Sequence, residues 1–442
     1  MARLALACAL LGGCTLTHDD PPKPLPDMVE VGTYAALPTT KLDVLFQIDN
    51  SAGTADIQKT FAAAVPDFIA ALDASPGGRP DLHIGVVTSD LGVTGSSGTP
   101  AADLGSCSGE GDAGNFVLSG APVSGSFISD IDGGDGPITR NTNYTGELAS
   151  VLSSMMKVGS VGCGFEQQLR ATRKALEGNP SNAGFSRADA NLLVVVVTDE
   201  DDCSVKDSHV FSSGTELGPV QSFRCTRFGL RCDESLDTEG EKHDCIPDED
   251  SQYIDGIQPY ADFFATLRGD RARSAVAVVA AAPSPVSVSL RTVQGSNAAP
   301  ELALDHSCMW DGSLGPDVGD PGVRLASVTG HLQSHGLYQS ICQQEQHDHA
   351  RAIVNLANQM AGVICLDTAV IDDTACAVTV ERAATSRDIP ACAVHPDSDC
   401  FEVATDAVAC PHIVDNQRLV VHLASPAADE YVRAHCVPRE QP

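Results

Sequence analysis

The chain has 442 residues, 43% of them apolar, enough for one large α/β domain with a smaller companion, and this excludes wholesale disorder. Acidic residues outnumber basic ones 59 to 27, for a formal charge of −32. Such a surface repels phosphate backbones and anionic lipid and attracts cations, which excludes DNA or RNA as a partner.

The first fourteen residues hold one basic residue, Arg3, and then a short apolar run ending in Leu11-Gly-Gly-Cys14. A run this short cannot span a bilayer and reads as a signal peptide. Leu11–Cys14 resembles the bacterial lipobox, which implies that Cys14 is acylated and becomes the new N-terminus. Thr15 follows it in place of the Asp associated with inner-membrane retention. The expected location is outside the cytoplasm, lipid-anchored to the outer membrane on its periplasmic face or the cell surface. The lipid (a palmitate-type anchor) would be the only membrane contact. Residues 15–40 are polar and proline-rich and read as a tether.

Lys41–Ile48 is an apolar run that ends in Asp49-Asn-Ser-Ala-Gly53, a buried strand entering a loop. Ile57–Leu72 has helical periodicity, with Pro66 expected to kink it. Leu82–Thr88 is the next strand. Residues 91–143 are rich in Gly, Ser and Asp and read as a long excursion with a short hairpin near Phe116. Helices are expected at 146–156 and 165–176. Asn191–Val197 is a continuous β-branched and leucine run, as in a strand covered on both faces, and ends in Thr198-Asp-Glu-Asp-Asp202. An insertion at 203–250 is poor in apolar residues. A helix at 253–267, a strand at 274–282 and a helix at 347–360 follow. Alternating strands and helices imply parallel pairing with crossover helices. From 365 on, short alternating stretches at 377–382, 418–423 and 431–436 suggest a small disulfide-linked β module.

Of the sixteen cysteines, Cys8 leaves with the signal and Cys14 takes lipid. The fourteen that remain are Cys107, Cys163, Cys203, Cys225, Cys232, Cys245, Cys308, Cys342, Cys365, Cys376, Cys392, Cys400, Cys410 and Cys436. An even number set beside turn residues predicts seven disulfides formed in an oxidising compartment, with the pairing left open. No Cys-x-x-Cys pair occurs, which disfavours a zinc ribbon or a thioredoxin-type motif.

Asp49 and Ser51 at one strand end, and the carboxylates at the end of another, are hard oxygen donors suited to a divalent cation, Mg²⁺ or Ca²⁺. The carboxyl edge of an open α/β sheet is also where such folds place their sites. Glu200, Asp201 and Asp202 read as a solvated acidic loop, with calcium recruitment as the other reading, and Asp90 is a further carboxylate at the same edge.

Asp49-x-Ser51-x-Gly53, the helix after it, Ile84-Gly-Val-Val-Thr88 and Thr198-Asp199 together resemble a von Willebrand factor A domain. Gly162-Cys-Gly-Phe-Glu-Gln167, Val197-Thr-Asp-Glu-Asp-Asp-Cys-Ser204 and Asp250-Ser-Gln-Tyr253 resemble a group of disulfide-rich bacterial surface lipoproteins common in myxobacteria. The first resemblance implies a mostly parallel, doubly wound α/β sheet and a metal-ion-dependent adhesion site. That site takes an Asp-x-Ser-x-Ser loop, a Thr from a second loop and an Asp after the fourth strand. Asp49, Ser51 and Asp199 match it as metal ligands. Gly53 stands where the second Ser belongs, and Cys163 aligns with the Thr, so the implied site is partial.

The organisation expected is a lipoprotein signal at 1–14, a tether at 15–40, an A-like domain at 41–364 with insertions at 91–143 and 203–250, and a β module at 365–442. The function expected is adhesion to a protein or matrix ligand that presents a carboxylate. The alternative is an envelope scaffold whose A-like fold binds no metal. No P-loop, Gly-x-Ser-x-Gly or dinucleotide fingerprint occurs, so no enzyme is expected. His331/His335 and His347/His349 have ligand-like spacing but read as exposed polar residues.

Overall fold

The computed structural model describes residues 28–438, except 76, 94–106, 135–138, 213–214, 219, 270, 293–298, 313–314, 343–345, 367–368, 384, 396–398, 408 and 411–413. The signal segment, Cys14 and the tether up to residue 27 lie outside these described residues.

A seven-stranded sheet forms the centre, with strands β1 (Lys41–Ile48), β2 (Asp81–Thr88), β3 (Ile128–Asp132), β4 (Arg140–Thr142), β5 (Asn191–Val197), β6 (Ser274–Ala280) and β7 (Gly336–Ser340). Their order is β7-β6-β5-β1-β2-β3-β4; the first five are parallel, and β3 and β4 add antiparallel at one edge. Helices α1 (Ala55–Asp73), α2 (Leu148–Met155), α3 (Gln168–Leu176), α4 (Gln258–Thr266), α5 (Val323–His331) and α6 (Gln346–Met360) cover it on both faces.

The two-residue period of the strands sorts the core. Val44, Phe46, Leu193, Val195, Ala277 and Val279 point to the face packed by α1, α2 and α6. Leu45, Leu192, Val194, Val196, Val276 and Val278 point to the face packed by α3, α4 and α5. Both faces are mainly apolar, which is why the central parallel strands read as mostly apolar runs and not as strict alternation.

Four features add to or differ from expectation. Pro66 lies inside α1, which runs from Ala55 to Asp73. A proline here leaves the Ala62 carbonyl without its helical donor, and Ser153 Oγ of α2 donates to it at 2.8 Å. The excursion after β2 shows no strand at Phe116; it forms β3 and β4 instead. Those strands are too polar to show periodicity. They are held through the buried Asp130, which accepts from Arg140 Nε at 2.6 Å, Tyr144 Oη at 2.7 Å and Arg79 Nη1 at 3.1 Å.

The third difference is in the tether. Val29–Ala35, within the expected tether, is a strand paired antiparallel with Tyr431–Cys436. That sheet continues through Cys376–Arg382 to Thr385–Ile389, and a second sheet of Ile364–Cys365, Gln417–His422 and Cys400–Thr405 faces it. Tyr34, Ile364, Val378, Phe401, Leu419 and Val432 fill the space between, so the C-terminal module is a small sandwich that takes its outer strand from the N-terminal side of the chain. The fourth concerns the histidines. His335 and His349 are buried rather than exposed; His335 Nε2 donates to the Thr33 carbonyl at 2.8 Å, tying that outer strand to the α/β layer.

Seven disulfides use all fourteen cysteines: 107–163, 203–225, 232–245, 308–342, 365–410, 376–436 and 392–400. Among the described residues no helix is long and apolar enough to cross a membrane.

Candidate functional site

β1 is the switch point of the sheet: the chain leaves it through α1 to β2 on one side, while β5 lies on the other. A crevice opens at the carboxyl ends of strands at such a point. Register places Ile48 beside Val197, and Asp49 N donates to the Val197 carbonyl at 3.0 Å. The loops carrying Asp49–Gly53 and Thr198–Asp199 therefore meet.

Asp49 is 1% exposed. Its Oδ2 accepts from Thr198 Oγ1 at 2.6 Å, and its Oδ1 from Ser51 N at 2.8 Å and Ser89 Oγ at 3.3 Å. Gln58 of α1 fixes the strand end from below, its Nε2 donating to the carbonyls of Asp49 at 2.8 Å and Gly159 at 2.6 Å. Gln168 of α3 steadies Thr198, Nε2 to Oγ1 at 3.0 Å. Ser51 is buried beside them.

Asp199 is half-buried, but its Oδ1 is shielded from solvent and has no hydrogen-bond partner. Its Oδ2 lies 3.9 Å from the position a Cβ would take at Gly53. Asp49, Ser51 and Asp199 are thus brought to one crevice. Gly53 has φ +109, a backbone setting that L side chains rarely adopt, so the missing second serine is a change of loop path and not only of side chain.

Cys163, aligned with the family's Thr, is bonded to Cys107 and supplies no oxygen. The residue the sequence reading passed over is Glu166, three positions on, 1% exposed and with both carboxylate oxygens shielded and unpartnered. Its signal was an acidic residue inside an otherwise apolar and small-residue string directly before α3. Gly162 lets this loop approach, since a Cβ there would lie 2.3 Å from Asn50 Oδ1, and Gly162 N donates to the Asn50 carbonyl at 2.7 Å.

Electrostatics follow from this packing. Burial, opposed by the bond from Thr198, holds the Asp49 carboxyl above the usual carboxylate range. Burial and then the Asp49 charge push Glu166 up to about 8. Asp199 is driven well above its ordinary value by burial, Asp49 and Glu166, and Glu200 by burial, Glu166 and Asp320. No basic side chain is among the groups acting on these four.

The remaining acids of the string do something else. Asp201 accepts from the backbone N–H groups of Arg324, at 2.9 Å, and Leu325, at 3.1 Å, capping α5. Asp202 accepts from Leu169 N at 2.9 Å in the first turn of α3 and pairs with Arg324 Nη2 at 3.0 Å. Both acids are buried, so the expected solvated loop is a buried clamp on two helices. Asp90 is also buried and takes Gly92 N at 2.7 Å, closing its own turn.

Among the described residues no three His, Cys, Asp or Glu side chains are gathered at metal-holding distance. The donor set nevertheless suits a hard cation. Asp199 Oδ1 and both Glu166 oxygens are buried acceptors without donors, an arrangement that costs free energy unless something positive answers it.

No family model matches the chain, and no curated protein does. Among solved structures, the SpaC pilus adhesin of Lactobacillus rhamnosus GG in its open conformation is similar at 10% identity and a TM-score of 0.29, over 90% of this chain and 38% of that one. The RrgA pilus adhesin of Streptococcus pneumoniae gives 10% and 0.25 over 93% and 57%. An aerotolerance-related membrane protein of Bacteroides fragilis gives 11% and 0.27, over 72% of this chain and 100% of that one. Likenesses of this size carry no argument about function.

Proposed function

We propose that the chain is a surface lipoprotein whose α/β domain is von Willebrand A-like and binds a protein or matrix partner through a divalent cation at Asp49, Ser51 and Asp199. The observation that carries this is Asp199, whose shielded Oδ1 has no donor and whose Oδ2 lies near Gly53 in the crevice that also holds Asp49. Waters complete the shell, as they commonly do around Mg²⁺, and one of those positions is open to a partner's carboxylate. The protein's own acidic surface repels such a carboxylate, so the cation is its attractor. Val161, next to Gly162, and Met309, in the strand Cys308–Gly312, are exposed apolar residues available for contact. No catalytic role is proposed. Seven disulfides fit a location outside the reducing cytoplasm, and anchoring through Cys14 to the outer membrane belongs to the same proposal.

A metal-free scaffold is the second reading, and one observation favours it: both Asp49 oxygens already accept hydrogen bonds from the protein. Calorimetric titration of MgCl₂ and CaCl₂ into the wild type and Asp49→Asn separates the two. Binding heat in the wild type that vanishes in the variant supports adhesion through the cation. A wild type silent towards both ions refutes it in favour of the scaffold.

A further inference from the structure

The seam between the α/β layer and the C-terminal sandwich encloses a cavity of about 270 Å³. It lies between Val29, Glu30 and Val31 of the outer sandwich strand and Ala352, Asn355 and Leu356 of α6. Gly336, the first residue of β7, also lines it, so the cavity sits by the amino end of that strand and not at the carboxyl ends that carry Asp49 and Asp199. Val29–Ala35 is the last strand of its sheet: Tyr431–Cys436 pairs with one edge and no strand with the other. An edge of this kind presents a row of unpaired N–H and C=O groups. The far half is closed here, because His335 holds the Thr33 carbonyl, and Gln359 Nε2 of α6 donates to the adjoining Ser334 carbonyl at 3.0 Å. The near half, Val29–Val31, faces the cavity, and among the described residues nothing from α6 or β7 bonds to its backbone.

Two further observations fix the chemistry of the cavity. The Asn355 side-chain amide is half-buried there and makes no hydrogen bond among the described residues. Glu30, in contrast, is already answered: its carboxylate accepts from Thr33 Oγ1 at 3.0 Å and from Ser334 Oγ, with Arg433 Nη1 3.7 Å away. The cavity therefore offers backbone groups, an amide and apolar walls, and no free charge. We propose that it is a docking site for an extended peptide segment of a partner protein, which adds as a short strand to the open edge of Val29–Val31. Main-chain hydrogen bonds to that edge supply affinity, Asn355 holds a peptide group from the other side, and apolar side chains of the segment pack on Val31 and Leu356. A folded sheet edge, such as that of a second copy, is kept out by α6, whereas a lone extended chain fits beside the strand. The chain's own tether is poorly suited, because Pro21, Pro22, Pro24 and Pro26 have no N–H to donate. The formal charge of −32 favours a segment flanked by lysine or arginine. This site goes beyond the cation reading and does not depend on it.

The test is fluorescence anisotropy of the full chain in EDTA with a fluorescein-labelled peptide, Lys-Val-Thr-Val-Thr-Val-Lys. Wild type should bind it saturably, and N-methylation of the central peptide amides should weaken binding at least about tenfold. Ala352→Trp, which fills the cavity from α6, should weaken it at least about tenfold, and Asn355→Ala at least about threefold, each variant checked for folding by thermal unfolding. Hydrogen exchange in the wild type, which needs no variant, should slow across Val29–Ala35 when the peptide is added. No saturable binding up to about 1 mM peptide overturns the proposal. Equal affinity for the N-methylated peptide overturns strand addition, and equal affinity in a folded Ala352→Trp, or exchange unchanged across Val29–Ala35, places binding elsewhere and overturns the site. Binding at least about tenfold tighter in a chain ending at Pro438 makes the residues after it the occupant and overturns an outside partner. Because EDTA removes divalent cations, failure here leaves the cation reading standing.

Discussion

Arg324→Met tests whether the second half of the acidic string is a structural clamp. Arg324 and Asp202 are both fully buried. The guanidinium donates to Asp202 Oδ2 at 3.0 Å, to the Asp202 carbonyl at 2.9 Å and to the Asp255 carbonyl at 2.7 Å. Methionine keeps much of the length and apolar stem but leaves a buried carboxylate with no counter-charge and two carbonyls without donors. Breaking a buried pair from one side costs about 3–5 kcal/mol. Asp202 keeps its donors from Leu169 N, Ser204 N and Ser204 Oγ, which places the expected loss near the lower end of that range. Urea unfolding under non-reducing conditions, followed by Trp310 fluorescence, reads this part of the molecule, because Trp310 packs beside Gly319 near the Asp199 carbonyl. Adding Asp202→Asn removes the stranded charge, so the double variant should recover about 1–3 kcal/mol relative to additivity. A loss below about 1 kcal/mol in Arg324→Met, or simple additivity in the double variant, refutes the clamp.

Three further outcomes follow from the same geometry. Burial and the Asp49 charge raise Glu166 to about 8 in the folded protein, so the folded state binds a proton that the unfolded state has released above its ordinary value near 4.5. The contribution of this group to the stability of the chelated protein should therefore be full below about pH 4.5 and be lost as pH rises towards 8, by up to about 1.4 kcal/mol per pH unit, and Glu166→Gln should reduce that slope in pH-dependent melts, the raised Asp199 and Glu200 keeping the remainder. Gly53→Ser restores the family's residue type but at φ +109, so it should destabilise by about 1–3 kcal/mol and not tighten cation binding; a stable variant that binds more tightly contradicts the account of the loop. Replacing Cys107 and Cys163 together by serine opens a loop with a sequence separation of 56 and should cost about 4 kcal/mol by chain entropy, read by chemical unfolding.

Sequence by itself determined the parallel core. The runs at Lys41–Ile48, Leu82–Thr88, Asn191–Val197 and Ser274–Ala280 are mostly apolar on both faces because both faces of their sheet are covered, and the helices between them carry a 3.6-residue period. It also determined the number of disulfides and the meeting of Asp49 with Asp199, since strand ends in such a sheet share one edge. Tertiary structure decided the rest, for reasons no local pattern records. Val29–Ala35 joins a sheet whose other strands lie hundreds of residues away, and β3 and β4 are held by the buried Asp130 network instead of by apolar alternation. The four acids after Thr198 look alike in sequence. Only their neighbours separate them: helix N-termini and Arg324 around Asp201 and Asp202, and around Asp199, Glu200 and the distant Glu166 nothing of opposite sign. A residue's charge can be read from the chain, but whether that charge is answered depends on which loops the fold brings against it.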